Sequence, residues 1–316
     1  MDELVTAEAP GFPSDPGARP GVSAPEPPSR AAGALRSARR ALGVVPFGVY
    51  MALGLGAPLI AVVVGAFQSP NGGGFTLSNV KTATSGVYLH GFSQSIVLSV
   101  IASVLPGILG LLLAYAIWSS RRGAVLRRVA ITASAVFANF GGVPLAFLFI
   151  ATLGSSGLAT KWLNDLGFNL YGHGFSLYTL SGVAVVYMYF QIPLMVLVIL
   201  PALEGLRPAW REAAANMGAR TWQYWRHVGG PVLLPSFLGC VLLLFGSSLS
   251  AYATAEAMTS GTIPLTSIQI GSFLNGNVLA GQQNVGKALG LGLVVIIAVA
   301  MILYVILQRR AARWLQ

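Results

Sequence analysis

Charge is scarce in this sequence. Its 316 residues include 19 Lys or Arg and 9 Asp or Glu, together 9% of the chain, against ~25% in an ordinary soluble domain. Hydrophobic residues make up 55%. So few charges cannot keep so apolar a chain in water, which excludes a soluble globular enzyme. Cysteine is almost missing. Cys240 stands alone in an apolar run, so no internal disulfide is possible. The three histidines, His90, His173 and His227, are isolated and never fall in a metal-ligand spacing. No catalytic group, cofactor or metal is expected. Basic runs interleaved with stacking aromatics are also missing, so the net charge of +10 is not a nucleic-acid footprint.

What is present is length of apolar run. A bilayer core of ~30 Å needs ~20 helical residues per crossing. Six stretches qualify: 44–67, 95–118, 129–153, 177–200, 232–255 and 285–307. All are expected to be helices, because lipid offers no partner to an unpaired backbone group. The fold class is thus an all-α membrane protein with six transmembrane helices. The third stretch is interrupted by Asn139, Gly141, Gly142 and Pro144. The segment 263–274 is expected to be a short helix lying at the interface. Residues 1–33 differ from the rest. Seven of the 18 prolines fall there, and such a stretch buries too little apolar surface to offset its ordering entropy. A disordered tail, 1–33, therefore precedes a membrane domain, 34–316.

The cations orient this bundle. Sixteen of the 19, all Arg, precede the first stretch, follow the sixth, or lie between stretches two and three or four and five. Lys81, Lys161 and Lys287 fall on the other side. The positive-inside rule places both termini in the cytoplasm.

The cytoplasmic segment 204–231 is unlike the others. Pro208 suits a first helical turn, and Glu212 lies early, where a carboxylate favours the helix dipole. Gly218 is placed for a left-handed cap, and Thr221 for the start of a second short helix over 222–227. Helix, glycine turn, helix makes a rigid protrusion with a small-residue face (Ala213, Ala214, Ala219) and aromatic corners (Trp222, Trp225). Such a surface fits a protein partner. Lying flat on the bilayer with the tryptophans as anchors fits it equally.

The run Glu212-Ala213-Ala214, with Gly218 six residues after the Glu and Pro231 nineteen after it, resembles the EAA loop. That loop marks the permease subunits of binding-protein-dependent ABC importers. Ala219 and Pro235 also fit. Gly230 departs from the pattern, standing where the family commonly has a large aliphatic residue. The resemblance covers roughly 40–316. It implies the type I importer permease fold and a bacterial inner-membrane location. It also implies that Glu212, Ala213, Ala214, Gly218, Ala219 and Pro231 couple to a separate ATPase. The implied partners are two ATP-binding subunits, a second permease, identical or homologous, and an extracytoplasmic solute-binding protein, all in membrane lipid. The stretch Ser250-Ala-Tyr252-Ala-Thr254-Ala, with Ile268-Gln-Ile-Gly271 and Gly276, resembles the subgroup handling polyamines, ferric iron, thiamine and aminophosphonates. A polyamine such as spermidine or putrescine is the favoured substrate.

Within the membrane, Asn139 and Gln191 are expected to be buried, lining a substrate pathway or bonding between helices. Glu256, at the end of stretch five, either meets a cationic substrate group or sits at the outer interface, solvated or paired with Lys287. Tyr252 is a further pathway candidate, with Tyr187, Tyr189, Ser247 and Ser248 weaker. Gly281 to Ala288 narrowly misses a phosphate-binding loop, because Ala288 stands where a Ser or Thr would hold Mg²⁺. A self-contained secondary transporter or channel is the rival reading. It would need intramembrane ionisable residues beyond Glu256, and often an internal repeat.

Overall fold

The computed structural model describes residues 45–69, 73–120, 123–276, 282 and 284–313. The expected tail 1–33 and all five arginines before the first crossing lie outside these, as do Arg121 and Arg122. The chain divides into two compact parts, one up to Pro58 and one from Leu59. The described residues are almost wholly helical, with one isolated β-bridge between Gln68 and Phe75. Among the described residues, six stretches are long and apolar enough to cross a membrane: Val45–Ala66, Gly86–Ser119, Gly142–Asp165, Leu180–Glu204, Thr221–Ser250 and Val285–Arg309.

The elements are named in chain order. They are α1 (Val45–Ala66), α2 (Ser78–Ala83), α3 (Gly86–Ser119), α4 (Gly123–Asn139), α5 (Gly142–Leu153) and α6 (Leu158–Asp165). Then follow α7 (Leu180–Glu204), α8 (Pro208–Asn216), α9 (Thr221–Ser250), α10 (Ala253–Thr259), α11 (Thr266–Leu274) and α12 (Val285–Arg313).

Helix α7 is the centre, with α3, α4 and α9 against it. In lipid no hydrophobic force drives helices together, so close packing must. Helix α3 supplies it with a stripe of small residues, Ser95, Ser99, Ala102, Ser103, Gly107, Gly110 and Ala114, all buried. A Cβ on Gly110 would lie 2.5 Å from Met195 Cβ and 2.9 Å from the Ile192 carbonyl oxygen. Only glycine permits α3 and α7 that approach. A buried cluster around Val183, Tyr187, Leu145 and Met258 fills one half of the bundle, and a second around Met195, Ile199, Leu203 and Leu244 fills the other.

Three expectations are corrected. The crossing expected at 129–153 is not one helix. Helix α4 ends at Asn139, and α5 starts at Gly142, whose φ is +74°. Hydropathy stays high across the break, so it hides in the apolar run. Thr254 makes the break tolerable: its Oγ1 accepts the Gly142 N–H at 2.9 Å and donates to the Gly142 carbonyl at 3.3 Å. The stretch expected at 232–255 begins earlier, at Thr221, and stops at Ser250, so Glu256 lies on the separate helix α10. Segment 263–274 contains α11, but Thr266, Ser267, Ile268 and Gly271 are buried against α3 and α12. It is wedged into the bundle instead of resting on its surface.

Contacts define two ends. At one, Arg127 pairs with Glu204, the Tyr115 and Trp225 rings meet edge-on at 5.3 Å, and the Tyr304 hydroxyl donates to the Pro235 carbonyl at 3.3 Å. This basic end also carries Arg207, Arg211, Arg220, Arg226 and Arg309. At the other, the Thr266 N–H donates to Ser95 Oγ at 2.8 Å, and the Tyr187 hydroxyl donates to the Ala251 carbonyl at 2.9 Å.

Candidate functional site: the basic-end helix and the polar residues of the bundle

Segment 204–231 is far more regular than a loop. Three residues join α7 to α8, and four join α8 to α9. Pro208 opens α8, where its missing N–H costs nothing. Beside it the Arg207 guanidinium lies 5.9 Å from the Trp210 ring centroid, a cation–π contact that steadies the first turn. The far end of α8 closes as a Schellman motif. The Ala219 N–H donates to the Ala214 carbonyl at 3.0 Å and the Gly218 N–H to the Ala215 carbonyl at 2.9 Å. Gly218 has φ +75°, the left-handed value this motif needs and that glycine adopts without strain.

The second short helix does not stand alone. It opens at Thr221, with the Arg220 N–H donating to Gln223 Oε1 at 2.7 Å, and runs on into α9 through a π turn over Trp225–Gly229. Pro231 brings no N–H to the following turn, and the wide turn before it is closed by the Gly230 N–H on the Trp225 carbonyl. A helix that widens ahead of a proline keeps its backbone paired. Hence α8 is tied through four residues to a rigid crossing helix. At its other side Leu206, buried in the inner cluster, fixes it to α7.

The small-residue face is not continuous. Ala214 is buried and Ala219 half-buried, while Ala213 points outward with Glu212 and Gly218. Ala214 seats the helix on its own chain. Glu212 and Ala213 present the free face, flanked by Met217, 80% exposed, and Trp222, 70% exposed. Among the described residues Glu212 has no ion-pair partner, and the one salt bridge there joins Arg127 and Glu204.

The polar candidates inside the bundle do not converge. Gln191 is fully buried. Its Nε2 donates to the Leu244 carbonyl at 2.9 Å and to Ser248 Oγ, which stitches α7 to α9. Its Oε1 is buried without a partner. Asn139, against expectation, is exposed at the end of α4, its amide satisfied by the Ala135 carbonyl at 2.8 Å. A helix-terminal Asn finds its own last turn sooner than a neighbouring helix. Tyr252 lies against Gly271, where a Cβ would come within 2.4 Å of the ring. With Ser250, Ser267 and Asn275 it lines a cavity of ≈ 330 Å³. Glu256 is half-buried, with Oε2 buried and unpartnered. It does not pair with Lys287, whose side chain lies across Gly65.

Three residues that the sequence did not single out hold the far end. Thr254 caps the break before α5. Asn79 donates to the Ala66 and Gln68 carbonyls at 3.1 and 2.9 Å, and Asn284 to Gln68 at 3.0 Å. The Gly141-Gly142 pair was a readable sign of the break. Nothing local marks the two asparagines, whose partners lie 13 and 216 residues away. Among the described residues no group of three His, Cys, Asp or Glu is placed to hold a metal. Of the near-miss segment 281–288, Gly281 and Gln283 lie outside the described residues, and 285–288 form the first turn of α12.

A bundle of apolar crossings with a short helix at its basic end, opened by Pro208 and closed by a Schellman motif, is the architecture of a membrane transport subunit. The chain belongs to the binding-protein-dependent transport system inner membrane component family, which its residues 106–315 match. The sulfate transport system permease protein CysT of Escherichia coli (strain K12) is 28% identical over 54% of this chain and 59% of its own length. The thiamine transport system permease protein ThiP of the same organism is 29% identical over 52% of this chain and 29% of its own. The putative ferric transport system permease protein FbpB 1 of Haemophilus influenzae (strain ATCC 51907 / DSM 11121 / KW20 / Rd) is 24% identical over 80% of this chain and 39% of its own. The chain thus matches less than two thirds of the length of these curated relatives. Its fold matches a chain in the crystal structure of a bacterial ABC transporter involved in the import of the acidic polysaccharide alginate. There the TM-score is 0.70 at 19% identity, over 88% of this chain and 97% of that one.

Proposed function

We propose that this chain is the permease subunit of an ATP-driven importer and that α8 is its coupling helix. The carrying observation is the build of α8: a proline start, a Schellman stop, a seat at Ala214 and a free face at Glu212 and Ala213. A helix that transmits force must not fray, and this one is fixed at both ends. ATP binding on two separate ATPase subunits draws docked coupling helices together and rocks the crossings between inward-open and outward-open states. The basic end then faces the cytoplasm, with both termini there, and a second permease, identical or homologous, completes the pathway. An extracytoplasmic solute-binding protein delivers substrate to the far end.

The substrate is a small polar solute. The unpartnered Glu256 Oε2 supports a cationic one, with a polyamine such as spermidine or putrescine first. Ferric iron, thiamine or an aminophosphonate is the second reading, and the thiamine and ferric permeases among the relatives support it. The tagged chain should co-purify with an ATPase and a binding protein, and the ligand that raises the melting temperature of that binding protein names the substrate. Transport that persists without ATP, in a chain that brings down no ATPase, would return the argument to a self-contained transporter or channel.

A further inference from the structure

Beside α8 a groove of ≈ 420 Å³ opens between the last turns of α3 and the first turns of α9. Leu112 and Tyr115 form one wall, and Trp222, Trp225, Leu234 and Phe237 the other. The floor offers almost no polar atom, so the groove suits a hydrocarbon chain and not a solute. Two arginines adjoin its lining residues along the chain. Arg220 directly precedes Thr221 of the lining, and Arg226 is four residues beyond Trp222, close to one helical turn along the same side of α9. Both are exposed, and among the described residues neither belongs to an ion pair. Two free guanidinium groups adjoining an apolar groove match a phosphate diester attached to an acyl chain. Trp222 is itself 70% exposed, and an exposed tryptophan suits the headgroup region.

We propose that this groove is a binding site for an anionic phospholipid, its acyl chain lying against Tyr115, Trp225 and Phe237 and its phosphate held by Arg220 and Arg226. Bound there, the lipid braces the turn that joins α8 to α9. The proposal rests on the basic end facing the cytoplasmic leaflet, where anionic lipid is recruited by juxtamembrane cations.

The test is native mass spectrometry of the full chain in neutral detergent, with equimolar phosphatidylglycerol and phosphatidylcholine of the same acyl chains. The wild type is expected to retain the phosphatidylglycerol in preference, by about fivefold per arginine. Arg220→Gln with Arg226→Gln should bring the two lipids to equal retention, and raising the salt should weaken the preference. Leu234→Trp, which fills the groove, should lower retention of both lipids while the arginines remain. Thermal melts without lipid check that each variant is folded. Equal retention by the wild type overturns the site. So does a preference that survives loss of both arginines, or a Leu234→Trp variant that holds lipid as well as the wild type, since binding would then be a surface attraction outside the groove. Closure of the groove to both lipids by a second copy overturns it as well. No ATPase takes part, so this outcome is separate from that of the coupling experiments.

Discussion

At the far end of the bundle, four polar side chains bond to the backbone of distant segments. Asn79 and Asn284 take up the carbonyls at the close of α1, Ser95 receives the first turn of α11, and Tyr187 ties α7 to the turn after α9. At the basic end the opposite holds. Glu212, Ala213 and Met217 stand exposed on a helix opened by Pro208 and closed by backbone bonds at Gly218 and Ala219. Both ends are rigid, for different reasons. The far end is held by side chains bonded to backbone of other segments. The basic end is rigid through backbone motifs, which leaves its side chains free. A rigid surface with free side chains is what a docking partner needs, and a loose loop with the same residues would lose affinity to ordering entropy.

The sharpest way to break this contrast is to loosen the basic end without touching its side chains. A Cβ on Gly218 would meet nothing within 4 Å, so Gly218→Val acts through φ +75° alone. That conformation costs an ordinary residue about 1–2 kcal/mol, and a β-branched one more. Uptake is expected to fall at least about tenfold while membrane insertion holds. Gly218→Asn, which tolerates the left-handed region, should keep most of the uptake. Glu212→Lys leaves the backbone intact and reverses the free face, and should uncouple ATP hydrolysis from uptake equally well. Normal uptake by Gly218→Val and Glu212→Lys together would sink the assignment of α8 as coupling helix.

These differences also mark what the sequence made legible. Crossing helices follow from apolar length, and α7 and α12 lie close to where that length puts them. Segment 204–231 was readable in detail because caps are local: Pro208 and Gly218 act within one turn of themselves. The break at Gly142 was half readable. Its glycines are visible, but the residue that makes it tolerable, Thr254, lies 112 residues on. Asn139 misled because polarity in an apolar run says that a partner is needed without saying which, and its own turn supplied one. Burial of Gln191 was legible, while its partners on α9 were not, since only the packing of α3, α7 and α9 sets that register.

Inside the bundle the contrast is sharpened by Gln191→Leu. The Leu244 carbonyl and Ser248 hydroxyl then lose the amide that links α9 to α7, a loss of about 1–2 kcal/mol at the upper end of interhelical bonds measured in membranes. The melting temperature should fall, and Gln191→Glu should not restore it, because a carboxylate there would be buried without a cation. An unchanged melt for Gln191→Leu would mean that small-residue packing alone holds α7 to α9. At the far end Asn79→Ala removes two capping bonds at once, for about 1 kcal/mol. Faster amide exchange over residues 64–68, with the basic end unaffected, is the signature expected.

The smallest effect falls on the one salt bridge. Arg127 and Glu204 keep 47% and 36% of their side-chain surface exposed, and pairs that wet are worth ~1 kcal/mol or less. Arg127→Gln and Glu204→Gln, with the double variant closing the cycle, should give a coupling below that figure and smaller still at high salt. The pair matters more for direction than for stability. It joins the first turns of α4 to the last turn of α7, so the two helices must run antiparallel. Arg127→Cys and Glu204→Cys, made one at a time, should therefore react with an impermeant thiol reagent from the same side of the membrane. Buried Cys240 should stay silent. Labelling from opposite sides would make the broken pair α4–α5 two crossings instead of one, and would move α8 away from the side where ATP is.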